Sequence, residues 1–290
     1  MVAGKSILTL TCDDQPGIVS AVSEGLFRHG GNILESAQFF GEEHDKGPET
    51  GRFFMRVVFS HPEALDPDTL RATINERLPV KDASIQIIDA EYRPKILIMV
   101  SRVDHCYEDL LYRVKIGTLK ADVVGIVSNH DRWAEDAARR GIPFHHLPVT
   151  PETKKEQEAA LDKIIEESGA DLVILARYMQ VLTDAFSNRH FGRIINIHHS
   201  FLPAFKGAHP YRQAWQRGVK LIGATAHYVT PDLDEGPIIV QDAEPVTHVM
   251  GEADYVATGR DIESRVLARA VRAHLEQRVF LHGSRTVVFA

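Results

Sequence analysis

The apolar and polar positions divide the chain into two regimes near residue 90. Ile7–Cys12 alternates with the period-2 rhythm of a half-buried strand and stops at Asp13-Asp14-Gln15-Pro16-Gly17, a cluster of turn formers. Ile18, Val22, Leu26 and Phe27 recur at helical spacing, and His29-Gly30-Gly31 ends that helix. Asn32–Phe40 and Arg52–Ser60 read as strands separated by a charged loop, Gly41–Gly51. Ala64–Leu78 reads as a second helix and Ala83–Asp89 as a fourth strand. A βαββαβ order in about 85 residues predicts the ferredoxin-like arrangement, a small domain with an exposed sheet face or edge.

Glu91-Tyr92-Arg93-Pro94 reads as a linker, since the proline disfavours helix across it. Beyond it, near-continuous apolar runs alternate with amphipathic stretches: Ile96–Val100, Val123–Val127, Leu172–Leu175, Ile194–Ile197 and Leu221–Tyr228. Strands of that kind, spaced by helices, predict an open, mainly parallel sheet covered on both faces. Ile238–Val246 reads as a late strand, Ile262–Phe280 as a long helix and Arg285–Phe289 as a closing strand. The expected fold class is therefore α/β in two domains, residues 1–90 and 95–290, joined by 91–94.

Composition adds exclusions. The 290 residues are 44% hydrophobic and 25% charged, as in an ordinary water-soluble protein. Forty acidic against 33 basic residues give a net charge of −7, which argues against a nucleic-acid partner. No apolar run approaches the ~20 residues of a membrane span, so no membrane partner is expected. Two cysteines, Cys12 and Cys106, cannot build a disulfide framework, which predicts a cytoplasmic protein. The 15 histidines include no H-E-x-x-H and no helical pair at i, i+4, and there is no C-x-x-C; no metal site is expected.

Chemistry concentrates late in the chain. In open α/β sheets the site lies past the carboxyl ends of the strands. There Asn196 and His198 sit two apart on a strand and project to one face, an amide donor beside an imidazole. Such a pair supplies an oxyanion donor and a general acid/base; it equally serves to hydrogen-bond the following loop. The loop Thr230–Pro237 holds Asp232, Asp234 and Glu235 between two prolines. It is either a solvated acidic turn or a carboxylate set against His198.

Asn196-x-His198 with the distant Asp234, in the stretches Ile195–Gly207 and Gly223–Gln241, resembles the folate-dependent formyltransferases. The resemblance implies a catalytic triad of Asn196, His198 and Asp234, with His227 supporting the aspartate. It also implies that Tyr178, Met179, Gln180, Val181 and Leu182 hold the pterin ring, with Ile197, Thr230, Pro231, Asp232 and Leu233 as further folate contacts. One departure matters. Members of the family that act on a ribonucleotide cradle its phosphate on a glycine-rich loop after their first strand, yet Ser101–Asp109 contains no glycine.

The first domain resembles the ACT domain, an amino-acid-binding regulatory module, through Asp13–Ile18 and Gly31-Asn32-Ile33. That likeness implies a small amino-acid effector at Asp14, Pro16, Gly17, Ile18 and Asn32, the last from a neighbouring copy. It also implies a homo-oligomer, dimer or tetramer. Together the two resemblances imply hydrolysis of 10-formyltetrahydrofolate to tetrahydrofolate and formate, serving one-carbon pools and purine biosynthesis. The folate is then the substrate and no cofactor is expected. The rivals are formyl transfer to an amine, formylation of methionyl-tRNA, which the acidic chain disfavours, and an amino-acid sensor with an inactive second domain.

Overall fold

Two compact units account for the computed structural model, which describes residues 3–42, 51–203 and 210–290. The expected loop Gly41–Gly51 and the tail of the Ile195–Gly207 motif fall largely outside those residues. The first unit comprises β1 (Ala3–Asp13), α1 (Ile18–Arg28), β2 (Asn32–Glu42), β3 (Gly51–Pro62), α2 (Pro67–Asn75) and β4 (Ser84–Asp89). Its antiparallel sheet has the order β2-β3-β1-β4, as the βαββαβ pattern predicts. Leu8, Leu10 and Cys12 of β1 pack against Ile18, Val22 and Leu26 of α1 and Leu70 and Ile74 of α2. Asp66 starts α2 by accepting the Asp68 and Thr69 N–H groups at 3.2 Å, with Pro67 in the first turn, where its missing N–H costs nothing.

The second unit begins with β5 (Lys95–Val100), α3 (His105–Lys115), β6 (Asp122–Ser128), α4 (Ala134–Arg140), β7 (Phe144–His146) and α5 (Lys154–Ser168). It continues through β8 (Leu172–Leu175), α6 (Asp184–Arg189), β9 (Ile194–His198) and α7 (Pro210–Arg217), then β10 (Leu221–Tyr228), β11 (Ile238–Pro245) and α8 (Glu252–Leu275). The seven strands lie in the order β11-β10-β9-β8-β5-β6-β7. Five are parallel, and β10 and β11 run antiparallel at one edge. The chain leaves β5 toward β7 and returns on its other side at β8, so the direction of winding changes there.

The C-terminal region departs from its pattern. The helix starts at Glu252 rather than Ile262. Its first turns already bury Tyr255, and Asp254 accepts the Gly251 N–H at 2.8 Å and fixes the start. Gln277 then adopts a left-handed φ of 55° and stops the helix. Residues read as its last turn instead open the hairpin β12 (Val279–His282) and β13 (Arg285–Val288). Residues 277–282 and 287–290 belong to the first unit, whereas the sequence assigns all of 95–290 to the second domain. The physical reason is Phe280, whose ring packs edge-on against Phe54 at 5.8 Å and Phe289 at 5.3 Å. Among the described residues no helix is long and apolar enough to cross a membrane.

Candidate active site

The register of β9 on β10 sets the centre of the site. Antiparallel pairing places His227 directly opposite Asn196 and Thr225 opposite His198. Cross-strand partners share a face, so two strands present four polar side chains together inside an otherwise apolar layer. Asn196 Nδ2 lies 3.2 Å from His227 Nε2. His227 Nδ1 lies 2.9 Å from the Tyr228 carbonyl, which can only accept, so Nδ1 carries the proton and Nε2 accepts from Asn196. One N–H of the amide is thereby used and the other remains for a ligand.

Asp234 reaches this face by an indirect route. The end of β10 lies beside the start of β9, and the loop that follows folds back, closed by the Tyr228 N–H donating to Pro237 O at 2.9 Å. The closure needs Gly236, where a Cβ would stand 1.8 Å from the Tyr228 carbonyl oxygen. Asp234 itself takes a left-handed φ of 58°, and its Oδ2 lies 3.2 Å from His198 Nδ1 while Oδ1 lies 3.6 Å from His227 Nε2. Burial disfavours the charged carboxylate, but the hydrogen bond from His198 and the nearness of the His227 ring outweigh it and hold Asp234 well below the usual carboxylate range. The anion directs the His198 proton to Nδ1. His198 Nε2 is buried without a hydrogen-bond partner, a free lone pair at the floor of a cleft.

That cleft, about 220 Å³, collects the remaining residues of the expected folate site. Met179, Val181 and Leu233 stand exposed at its mouth, and Ile197 is buried in its wall. Gln180, Leu182, Thr230, Pro231 and Asp232 complete the lining. Tyr178 lines it too, but its hydroxyl is turned into the core, accepting from Gln157 at 3.2 Å. Asp232 is exposed, and its carbonyl accepts from the Thr230 hydroxyl at 3.0 Å, so it shapes the turn. The volume falls below the roughly 300–1,000 Å³ of sites that engulf a drug-sized ligand.

A family model described as formyl transferase matches residues 94–271. The formyltetrahydrofolate deformylase of Corynebacterium sp. strain P-1 is 48% identical over 98% of both chains. The crystal structure of formyltetrahydrofolate deformylase from Burkholderia mallei has a TM-score of 0.91 at 52% identity, covering 99% of this chain and 100% of that one. The chain belongs to the formyltetrahydrofolate deformylase family. Glycinamide ribonucleotide transformylase 1 from Symbiobacterium toebii is more distant, with a TM-score of 0.64 and 31% identity over 70% of this chain and 97% of its own.

In this deformylase-family chain the glycine-free stretch after β5 has a different use. Ser101 Oγ accepts the Met179 N–H at 3.1 Å and donates to Asn129 Oδ1 at 2.7 Å, which anchors the cleft's rim. Pattern reading missed Thr225 and Gln241. Thr225 Oγ donates to Ser200 O at 3.0 Å and accepts the Leu202 N–H at 3.1 Å and Gln241 Nε2 at 2.9 Å, pinning the segment after His198. A buried threonine in an apolar strand was the available signal.

His105, Cys106 and Glu263 bring three metal-ligand atoms within 4.8 Å of one another. Burial holds the Cys106 thiol well above its usual range and therefore protonated, and Glu263 is already engaged by Tyr211 and His105. A neutral thiol and a satisfied carboxylate make a poor cation site.

The five residues expected to bind an amino acid do not meet within one chain. Gly17 takes φ 100° ahead of α1, but Ile18 is buried in the core and only its backbone remains for a ligand. Asn32 pairs with Ser60, which pairs with Lys5 at the start of β1, whereas the turn holding Asp14 and Pro16 follows its end. At ~3.3 Å per residue along the strand, those positions lie about 26 Å apart.

Proposed function

We propose that this enzyme hydrolyses 10-formyltetrahydrofolate to tetrahydrofolate and formate, with the pterin in the cleft and the formyl group between Asn196 and His198. The observation that carries the reading is the His198 imidazole, backed by Asp234 on Nδ1 and free on a buried Nε2. His198 Nε2 takes a proton from water as its oxygen adds to the formyl carbon. The free Asn196 N–H donates to the oxygen that becomes negative. The tetrahedral intermediate then collapses, the C–N10 bond breaks and N10 receives the proton from His198. Water has added across the amide, and no other reactant is consumed. Asp234 keeps the imidazole in the productive tautomer and stabilises it while protonated.

On this reading no cofactor takes part, and the formate released serves purine synthesis. A small amino acid regulates the enzyme by binding between the Asp14–Ile18 turn of one copy and Asn32 of another. Calorimetry of the full chain against the twenty amino acids tests the effector; no heat with any of them defeats it. The reaction is tested by incubating the purified chain with 10-formyltetrahydrofolate, with and without glycinamide ribonucleotide. Equimolar formate and tetrahydrofolate are expected, at a rate the amine does not change. Formylated ribonucleotide appearing faster than formate would make the protein a transferase. That reading rests on the shared fold, but Ser101–Asp109 offers no glycine-rich cradle for the phosphate.

A further inference from the structure

A second cavity of about 360 Å³ adjoins the cleft in the same unit, and Arg177, Met179 and His199 line both. Its far wall is one face of α8, where Val256, Arg260 and Glu263 follow at i, i+4 and i+7. The balance of charge around it is uneven. Glu263, 1% exposed, is spent on its neighbours: Oε1 accepts from the Tyr211 hydroxyl at 2.7 Å, and Oε2 lies 2.8 Å from His105 Nε2 and 3.2 Å from Arg177 Nε. Glu252 faces Arg212 at 4.0 Å. Arg177 Nη1 remains buried without a hydrogen-bond partner, as does His105 Nδ1. Arg260 has no ion pair among the described residues. His199, between the two spaces, is pushed down to about 3 by burial, with the Arg177 charge adding to the effect, and stays neutral. The cavity thus keeps an unspent positive charge beside the place where the reaction makes an anion.

We propose that this cavity is the exit chamber for formate and the entry for water, receiving the carboxylate on Arg177 and Arg260 while tetrahydrofolate still fills the cleft. The assignment rests on the hydrolytic reading above. A folate seated in the cleft blocks the mouth between Met179, Val181 and Leu233, so a small product on the far side of the formyl carbon needs another way out. His199, next to His198, lines both the chamber and the cleft. A guanidinium matches a carboxylate in geometry and charge, and both arginines line this cavity.

The test uses the full chain and ¹³C-labelled formate, whose NMR line broadens on binding and needs no turnover. Saturable broadening is expected, and it should persist with tetrahydrofolate at saturation. Arg260→Gln, at an exposed helix position, should weaken formate at least fivefold. Val256→Phe, which fills the chamber from α8, should abolish the broadening; unchanged far-UV circular dichroism shows that each variant is folded. Formate production from 10-formyltetrahydrofolate is measured in parallel. Hydrolysis without saturable broadening, broadening displaced by tetrahydrofolate, or parent-like binding in both folded variants each overturns the chamber and leaves the hydrolytic reading intact. Broadening with no hydrolysis overturns that reading and the exit role with it.

Discussion

Replacing Asp234 by asparagine removes one charge and almost no volume. In the parent, Oδ2 accepts the His198 Nδ1–H at 3.2 Å. An amide in its place offers either a weaker acceptor or an N–H donor. If it donates, the His198 proton moves to Nε2 and the lone pair that activates water disappears. If it accepts, the imidazolium formed during attack loses its counter-charge inside a buried site. Either outcome resembles the removal of an orienting carboxylate from a hydrolytic triad, which costs ~10⁴ in turnover. At 1.36 kcal/mol per decade that is about 5.4 kcal/mol of barrier. The Asp234 carboxylate is engaged by His198, so on the proposed pose KM should stay within about threefold of the parent. Single-turnover quench with formyl-labelled substrate separates the two, counting formate against time at several enzyme concentrations. A kcat within tenfold of the parent, or a loss confined to KM, would show that Asp234 only shapes its loop.

Asn196→Ala should lower turnover by ~10²–10³, about 2.7–4 kcal/mol, because one oxyanion donor is lost; a rate within threefold of the parent in the same quench experiment would mean that the amide serves only His227. Glu263→Ala leaves the half-buried Arg177 guanidinium and His105 without their carboxylate, and urea unfolding should register a loss of about 3–5 kcal/mol; a loss below about 1 kcal/mol would show that water already satisfies that arginine. His199 and His274 are held down by burial to about 3 and about 4, below the 6.5 of a free imidazole. As pH falls from 6.5 toward 4 the unfolded chain takes up their protons first, so the urea midpoint should be flat at neutral pH and drop across that window. His274→Gln should make the drop shallower, and an unchanged slope would assign the pH dependence to other groups.

How much could be read from the chain alone follows from the range of each interaction. The apolar runs determine the two sheets, because periods of two and 3.6 residues are local properties of strand and helix. Asn196 and His198 share a face for the same local reason. The resemblance selected Asp234 among three carboxylates, and the fold-back of its loop then set it against both imidazoles. Other features needed three dimensions. His227 bonds Asn196 only because an antiparallel register aligns them, and register depends on packing across strands far apart in sequence. The Asp14–Ile18 turn and Asn32 look adjacent as motifs, yet strand direction puts them at opposite ends of the first sheet. Phe280 leaves its expected helix because the hydrophobic gain lies with Phe54, more than half the chain away. His105, Arg177 and Glu263 are polar residues on three different elements, with no periodicity to link them. Burial makes them one network, since a charge taken out of water must find its partner wherever the fold has placed it.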